Sequence, residues 1–506
     1  MREIMVEKNT TIFKDLLVEE NDGLSTLSVN CDMSPIVVVA NRTIREQLDE
    51  QCLAQAMTAR LAPGISHVVL NPDAHLGYGV PVGSVLASPT HIYPGPVGVD
   101  IKCSMSLLQT NLPSDALGDI KTRRAVIKSI CQRIPTGAGR GSKSVPKSRH
   151  VDEWLGFELC TQGASKNVLR KLGIPHTWSH RCEDVSHRAW DGSLGTLEAR
   201  LQRLLRDYKM SRFPAQMNQL GSYGGGNHFG ECEVVQVSDK AGCQEIARHW
   251  GLKDGHIAFL SHCGSRGFGH TLASRQFKYL KSRFKKTGRG FPGGDSELVF
   301  AEHGSDEAVD YLSDMALAAN FATVNHLLIN QLVLEAFQQV VPGTVGELIY
   351  FISHNIVRHE QVDGRTQWVH RKGATRALPA GHPELMRTEF ESTGHPILLP
   401  GNPRDGSAVM VALPGAQRSL FSVNHGAGRV MSRRKAKATL DQHSVDCELL
   451  DHDIISNCHK YPKDESPAVY KNFNEVLASV RQAGLAEVIA RLQARFVIKD
   501  GAEPDD

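Results

Sequence analysis

The 506-residue sequence lacks the features that direct a protein to a membrane or out of the cell. No apolar run approaches the roughly 20 residues of a membrane span, and residues 1–5 do not begin a secretory signal. The eleven cysteines show no paired spacing, which favours free thiols in a reducing compartment. We therefore expect a cytoplasmic protein that has no membrane partner.

A strong net charge is also missing. Lysine and arginine number 57 against 55 aspartates and glutamates, so the formal charge is only +2. Because no overall field favours a nucleic acid, any surface that binds one must be local. The sequence shows neither an internal repeat nor a clear linker, and 41% of its residues are apolar. These features favour one large α/β body with a substantial core.

Short apolar runs predict the strands of this body. Runs that begin at Ile36, His67, His256, Leu348 and Val409 have the length and composition of buried strands. Several of them lead into turns that contain glycine and histidine. Such alternation of strands and polar turns is typical of an α/β fold whose site lies at strand ends.

Three longer segments have the apolar spacing of helices. The first runs from Thr43 to Leu61, and the last, an amphipathic one, runs from Phe473 to Leu492. The middle segment, Ser305 to Val341, has Ser305 as a candidate cap and acidic residues in its first turn. Its length exceeds that of a typical helix, so the sequence predicts a kink or two helices there.

Five potential metal ligands stand at the ends of apolar strands or in glycine-rich turns. They are Asp100, Cys103, His228, His262 and His354. Any one of the imidazoles is as well explained by a hydrogen-bonded core or surface histidine, but their shared context favours a metal site. Imidazole, carboxylate and thiolate together suit Mn, Fe, Co or Zn better than Mg or Ca. The spacing does not choose among these metals.

A further motif, His425-Gly426-Ala427-Gly428, sets a histidine beside an open stretch of backbone. Glycine has no Cβ, so a phosphate can approach the main-chain N–H groups. The motif therefore predicts a nucleophile or acid next to a phosphate cradle, although a plain turn would give the same letters.

Three segments are rich in basic residues, and the last two of them offer further phosphate contacts. Residues 135–150 have the Gly, Ser, Arg and Lys content of a basic loop, and residues 275–289 predict a basic helix with an apolar stripe. Residues 371–376 carry arginines and a lysine suited to clamping phosphate. A solvated surface explains each segment equally well, so the choice stays open.

Seven motifs, taken in order, resemble those of the RtcB-type RNA ligases. They occupy residues 73–79, 98–103, 224–231, 262–269, 353–355, 371–377 and 425–429. The resemblance covers residues 65–506, which would form the catalytic domain, and leaves 1–64 as an N-terminal segment with little resemblance. It implies a single large α/β body with central β-sheets, flanking helices and a deep cleft for metal and nucleotide.

What the resemblance implies is a GTP- and manganese-dependent RNA ligase. Such an enzyme would join an RNA 3′-phosphate or 2′,3′-cyclic phosphate end to a 5′-hydroxyl end, in RNA repair or tRNA splicing. RNA with those ends would be its partner, with a protein activator of the archease type as an additional one. Two alternatives stay open: a dinuclear-metal phosphoesterase acting on nucleic-acid ends, and a non-catalytic RNA-binding homologue.

The resemblance also implies roles for individual residues. His425 would be the nucleophile that takes GMP, and the five ligand residues would hold two Mn²⁺ ions, with Cys103 bridging them. Glu231 would accept hydrogen bonds from the guanine N1–H and amino group. The residues that would bind GTP are Asn227, Phe229, Glu231, Asn355, Asn402, Ser407, His425, Gly426, Ala427, Gly428 and Lys499.

Three positions depart from the family pattern close to these residues. Lys102 and Ser104 stand where the family usually has glycine, and Asn424 stands where it commonly has cysteine. We expect Lys102 and Ser104 to place a cation and a hydroxyl beside the metals. The departures indicate a divergent branch in which every predicted ligand type is still present.

Overall fold

A computed structural model describes residues 12–30, 32–137, 145–190, 192–207, 210 and 212–501. It shows a mixed α/β body in which two large β-sheets and their flanking helices share an extensive apolar core. The predicted fold class is confirmed, and each of the five predicted strands is present. Of the predicted basic loop at 135–150, residues 138–144 lie outside the described residues.

The strands are numbered along the chain. They are β1 (Leu17–Asn21), β2 (Leu24–Leu27), β3 (Ile36–Val39), β4 (His67–His75), β5 (Val82–Ser88), β6 (His91–Ile92), β7 (Ser104–Pro113), β8 (Phe229–Val237), β9 (His256–Cys263), β10 (Ala301–Glu302), β11 (Gly346–Ser353), β12 (Asn355–Val362), β13 (Arg365–Lys372), β14 (Ala374–Arg376), β15 (Ile397–Asn402), β16 (Gly406–Ala412), β17 (Ser422–Asn424), β18 (Ile455–Ser456) and β19 (Ala486–Lys499).

The α-helices are numbered in the same way. They are α1 (Arg42–Glu46), α2 (Glu50–Arg60), α3 (Ile120–Arg133), α4 (Glu153–Gln162), α5 (Lys166–Lys171), α6 (Leu194–Asp207), α7 (Phe213–Met217), α8 (Ala241–Trp250), α9 (Arg266–Lys286), α10 (Asp306–Val340), α11 (Arg433–Thr439), α12 (Gln442–Asp451) and α13 (Phe473–Gln482).

The first sheet has the strand order β1-β2-β3-β4-β5-β13-β12. The second has the order β11-β7-β9-β8-β19-β16-β15, and β18 pairs in parallel with β19. Two short antiparallel pairs, β6 with β10 and β14 with β17, complete the described pairing. The second sheet matters most for function. Because its neighbouring strands are antiparallel, the first residues of one strand lie beside the last residues of the next.

The N-terminal segment contributes strands to the first sheet. β1, β2 and β3 precede residue 64, and β3 pairs in parallel with β4 through Val37 opposite Val69. The strands before the predicted boundary thus extend the same sheet as the strands after it. The division at residues 64 and 65 remains a prediction of the resemblance alone.

Helix α10 runs without a break from Asp306 to Val340, so the prediction of two helices is wrong, while the alternative of a kink stays a prediction. Ser305 caps it as predicted, since its Oγ accepts the Ala308 N–H at 3.2 Å. The helix is long and apolar enough to span a membrane, but 94% of its most apolar window is buried within the protein.

The helix predicted over Phe473–Leu492 is correct only in its first half. Helix α13 ends at Gln482, and Gly484 then takes a φ of +70°, a conformation that commonly terminates helices. The residues that follow form β19, which lies between β8 and β16 in the second sheet. Pairing on both sides outweighs the helical spacing there and carries Lys499 to the site described below.

The helix predicted over Thr43–Leu61 is interrupted. It consists of α1 and α2, which are separated at residues 47–49. Asp49 begins α2 by accepting the Gln51 N–H at 2.8 Å, and Asn41 caps α1 in the same way through the Ile44 N–H. Two local caps therefore divide a segment whose apolar spacing is continuous.

Candidate metal and nucleotide site

The candidate metal ligands meet at one edge of the second sheet. His228 precedes β8 and Cys103 precedes β7, whereas His262 lies near the end of β9 and His354 follows the end of β11. Because neighbouring strands here run in opposite directions, the start of β7 or β8 lies beside the end of β9 or β11, at the same edge. Asp100 reaches this edge from the loop before β7.

The distances among these side chains are those of a compact cluster. The Cys103 Sγ lies 3.1 Å from the His262 Nε2 and 3.4 Å from the His228 Nε2. The His228 Nε2 is 2.8 Å from the Asp100 Oδ2, and the His262 Nε2 is 3.3 Å from the His354 Nε2. The structure thus brings all five predicted ligands together, with their donor atoms facing one another.

The chemistry of this cluster fits a transition-metal site. Burial, followed by the charges of nearby histidines, lowers the pKa of His262 and His354 well below the usual range, so both imidazoles are neutral at pH 7. Neutral imidazole is the form that binds metals. Two neutral ring nitrogens 3.3 Å apart need a proton or a cation between them. A buried thiol and carboxylate beside them complete a donor set that favours a divalent transition metal.

A cavity of about 290 Å³ opens beside this cluster, with His262 in its wall. The residues predicted to bind the nucleotide that line it are Asn227, Phe229, Glu231, Asn402, Ser407, His425, Gly426, Ala427, Gly428 and Lys499. Asn355 is not in the lining. Its amide donates to the Asp100 carbonyl at 3.2 Å and accepts the Gly373 N–H at 2.7 Å. Asn355 therefore braces the loop that carries Asp100, and its predicted contact with the nucleotide remains a prediction.

His425 lies between the metal ligands and the cavity, with its ring centroid 4.9 Å from that of His354. Its Nδ1 is 2.7 Å from the Oδ2 of Asp73, which also accepts the His425 backbone N–H at 3.0 Å. We assign the proton to Nδ1, because a carboxylate can only accept it. The Nε2 lone pair is then available on a side chain that is 15% exposed.

Asp73 was not recognised from the sequence, although it stands in one of the seven motifs. It is fully buried and lies 352 positions from His425. Gly428 allows this approach, because a Cβ on that residue would lie only 2.3 Å from the Asp73 carbonyl oxygen. The glycine that was predicted to open the phosphate cradle thus also makes room for Asp73 behind His425.

Glu465 is a second residue that the sequence did not reveal. Its carboxylate accepts from the Nζ of Lys499 at 2.6 Å and from Arg433 at 2.5 Å. Although burial opposes its charge, these two cations lower the pKa of Glu465. The two glutamates of the cavity therefore differ in their partners. Glu465 is ion-paired with Lys499, whereas Glu231 faces the cavity and forms no ion pair among the described residues.

The prediction that Lys102 places a cation beside the metals is wrong. Its side chain is fully buried, and its Nζ turns to Thr323 Oγ1 at 2.8 Å and to His187 Nε2 at 2.7 Å. The Ser104 Oγ donates to the Lys102 carbonyl at 2.6 Å. The third departure, Asn424, donates to the Gly426 carbonyl at 2.7 Å and so fixes the turn next to His425.

The arginines of the 371–376 segment are already paired. Arg371 is fully buried and donates to both oxygens of Glu360, at 2.8 and 2.7 Å. Arg376 lies within 3.2 Å of the same carboxylate. Neither guanidinium is open to a phosphate, which contradicts the clamp interpretation and supports a structural one.

The basic residues at the end of α9 are also partly neutralised. Arg283 pairs with Glu307 at 3.1 Å and Arg289 with Glu302 at 2.9 Å, and Lys281 pairs with Glu297. These pairs reduce the local positive charge that a nucleic-acid backbone would require. The solvated-face interpretation of this segment is the better supported one.

Comparison with known proteins gives a consistent result. Residues 55–500 match a family model described as "tRNA-splicing ligase RtcB". A protein of that name from Thermococcus kodakarensis is 33% identical over 92% of this chain and 94% of its own length. Another from Aeropyrum pernix is 32% identical over 93% and 96%, and one from Nanoarchaeum equitans is 33% identical over 92% and 94%.

Proposed function

Because the chain belongs to the RtcB family, we propose that it is an RNA ligase of tRNA splicing or RNA repair that uses GTP and manganese. It would join a 3′-phosphate or 2′,3′-cyclic phosphate end to a 5′-hydroxyl end. The observation that carries the proposal is the position of His425. An imidazole with its Nδ1 on a buried carboxylate lies where a cavity meets a cluster of metal-ligand side chains, and its Nε2 is not engaged by that carboxylate.

His425 would act as the nucleophile. Its Nε2 lone pair would attack the α-phosphorus of GTP, forming a P–N bond as the P–O bond to pyrophosphate breaks. The Nδ1 proton stays in the hydrogen bond to Asp73, which stabilises the positive charge that develops on the ring. A 2′,3′-cyclic phosphate end would first be opened by water to a 3′-phosphate. The RNA 3′-phosphate would then take GMP from His425, and the 5′-hydroxyl would attack the phosphorus of that RNA phosphate and displace GMP as it loses its proton.

The residues around His425 divide the remaining tasks. The main chain of Gly426, Ala427 and Gly428 presents N–H groups to a phosphate, and Asn424 holds that turn. A divalent metal held by the five ligand residues would neutralise phosphate oxygens during attack. Phe229 lies in the cavity wall with the Nζ of Lys499 5.5 Å from its ring centroid, and this ring would offer the base an apolar contact.

The proposal is tested with purified protein, MnCl₂ and GTP labelled at the α-phosphate. We expect a protein-bound label that is stable in alkali and lost in acid, and joining of RNA pieces with 2′,3′-cyclic phosphate and 5′-hydroxyl ends. Removal of terminal phosphate without any label would instead indicate a phosphoesterase. RNA binding with neither reaction would indicate a non-catalytic homologue.

Replacing Asp73 with asparagine should slow formation of the label by about 100-fold, as for other residues that orient a reactive side chain from behind. An asparagine amide would donate to Nδ1 and favour the tautomer that has its proton on Nε2, where the lone pair is needed. Label formation would be followed in single-turnover reactions, with bound manganese measured in parallel. An unchanged rate at unchanged metal content would show that Asp73 does not set the tautomer.

The setting and partners of the enzyme follow from the same proposal. The described residues contain one helix with the length and composition of a membrane span, and it forms part of the core. We propose that the protein works in the cytoplasm on RNA ends, and that an activator of the archease type assists it. Ligation assays with and without such a protein would test the latter point.

A further inference from the structure

Two glutamates stand on the same face of β8, where residues two apart point in the same direction. Glu231 lines the cavity, and Glu233 behind it is fully buried. Neither carboxyl oxygen of Glu233 has a hydrogen-bond donor in good geometry among the residues that the structure describes. The polar groups that face it are the carboxyl of Glu231 and the hydroxyl of Ser407.

The surroundings of Glu233 do not supply a cation that would keep it ionised. The guanidinium of Arg491 is committed to Asn474 at 2.9 Å and to the Asp405 carbonyl at 2.7 Å. The Nζ of Lys499 is committed to Glu465. Burial, followed by the charge of Glu231, raises the pKa of Glu233 well above its usual range. Glu233 is therefore a neutral acid at pH 7, with one O–H to donate.

The acceptor for that O–H is Glu231. Donation from Glu233 occupies one oxygen of Glu231 and leaves the other free to face the cavity. Burial raises the pKa of Glu231, the hydrogen bond from Glu233 and the charge of Lys499 lower it, and the three effects together leave it at about 7. Because this pKa lies close to neutral pH, loss of the Glu233 donor would shift Glu231 towards its neutral form.

We propose that Glu233 is a positioning residue that keeps Glu231 an ionised hydrogen-bond acceptor, and that this pair selects guanine over adenine in the cavity. The inference rests on the proposed function, since it concerns the base-binding end of the same site. An ionised Glu231 accepts from the N1–H and amino group of guanine. Adenine has an acceptor at N1 and would leave the buried carboxylate unpaired, which is strongly unfavourable.

The pair should make guanine binding depend on pH. Because the pKa of Glu231 is about 7, preference for guanine should be greatest well above pH 7 and decline as the pH falls through about 7. The other charged or titratable groups that face the pair are Lys499, its partner Glu465, Tyr461 and Arg491.

The test is calorimetric binding of GMP, IMP and AMP to the full chain with MnCl₂ at pH 6 to 8.5. Glu233→Met removes the donor and should weaken GMP and IMP about 10- to 100-fold while AMP is unaffected, the effect of losing one hydrogen bond to a charged group. The pH at which GMP preference is half lost should move upward. Glu233→Gln, whose amide donates in the same place, should rescue the preference.

A second measurement covers the case in which Glu233→Met does not fold. Infrared spectra of the wild type at pH 8 should contain the band of a buried neutral carboxylic acid that shifts when GMP binds, and Glu233→Gln should lack that band. An unchanged GMP-to-AMP ratio in Glu233→Met, or absence of the band, would overturn the role of Glu233 alone. Wild-type protein that binds no GMP and takes no label from GTP would overturn the proposed function and this inference with it.

Discussion

Replacing His425 with alanine should abolish both the label from α-labelled GTP and the joining of RNA ends. No other imidazole described at the cavity has its Nδ1 on a buried carboxylate, as His425 has on Asp73 at 2.7 Å. The remaining histidines of the cluster turn their Nε2 atoms to one another and to Cys103. His75 in the cavity wall has its Nδ1 on the Asp73 backbone carbonyl at 2.9 Å and not on a carboxylate, so we expect residual labelling below the limit of a denaturing gel.

Two controls make this result specific. The alanine variant should keep its bound manganese, since His425 is outside the set of five ligands. His452→Ala, which changes an exposed histidine at the end of α12, should take up label at the wild-type rate. Persistent label on the His425→Ala protein would show that another residue carries the GMP, and the assignment would be wrong.

The second large effect is expected for Cys103→Ser, measured as metal content after dialysis against manganese of known concentration. The Sγ of Cys103 is within 3.4 Å of both the His228 and the His262 Nε2 atoms, so this sulfur lies close to two other candidate ligands at once. Residues that hydrogen-bond to a metal ligand already contribute about 10- to 100-fold to metal affinity. Loss of the ligand itself should therefore lower metal affinity by at least about 100-fold. Guanylylation should fall with it.

A matched substitution tests whether the effect belongs to this thiol. Cys447→Ser changes a half-buried cysteine on α12 whose Sγ lies near His443, and its metal content should match that of the wild type. Added manganese should partly restore labelling of Cys103→Ser if the affinity alone is reduced. Unchanged metal content in Cys103→Ser would contradict the bridging role.

The sequence was a reliable guide where a local pattern was sufficient. The strand runs and the Ser305 cap depend on residues close together in the chain, and both are present. The local pattern gave the wrong secondary structure where contacts with residues distant in sequence determine it. Helix α10 is one continuous helix surrounded by core, and residues 486–499 form a strand because β8 and β16 flank them.

The sequence also determined the chemistry that the site can offer. A carboxylate, a thiolate and three imidazoles at strand ends, with a histidine before Gly-Ala-Gly, specified the donor types and the cradle. The sequence did not show where the ammonium group of Lys102, the residue next to Cys103 in the chain, would lie. A φ of +52° and contacts to Thr323 and His187 turn that ammonium away from the ligands.

Only the tertiary structure decided how these groups are tuned. Asp73 meets His425, Glu465 meets Lys499, and Glu233 faces Glu231 in a place that water does not reach. The tautomer of a histidine or the charge of a glutamate depends on atoms within a few ångströms and on the loss of solvent around them. Side-chain type is written in the sequence, but those distances and that desolvation arise only when strands from distant parts of the chain pack together.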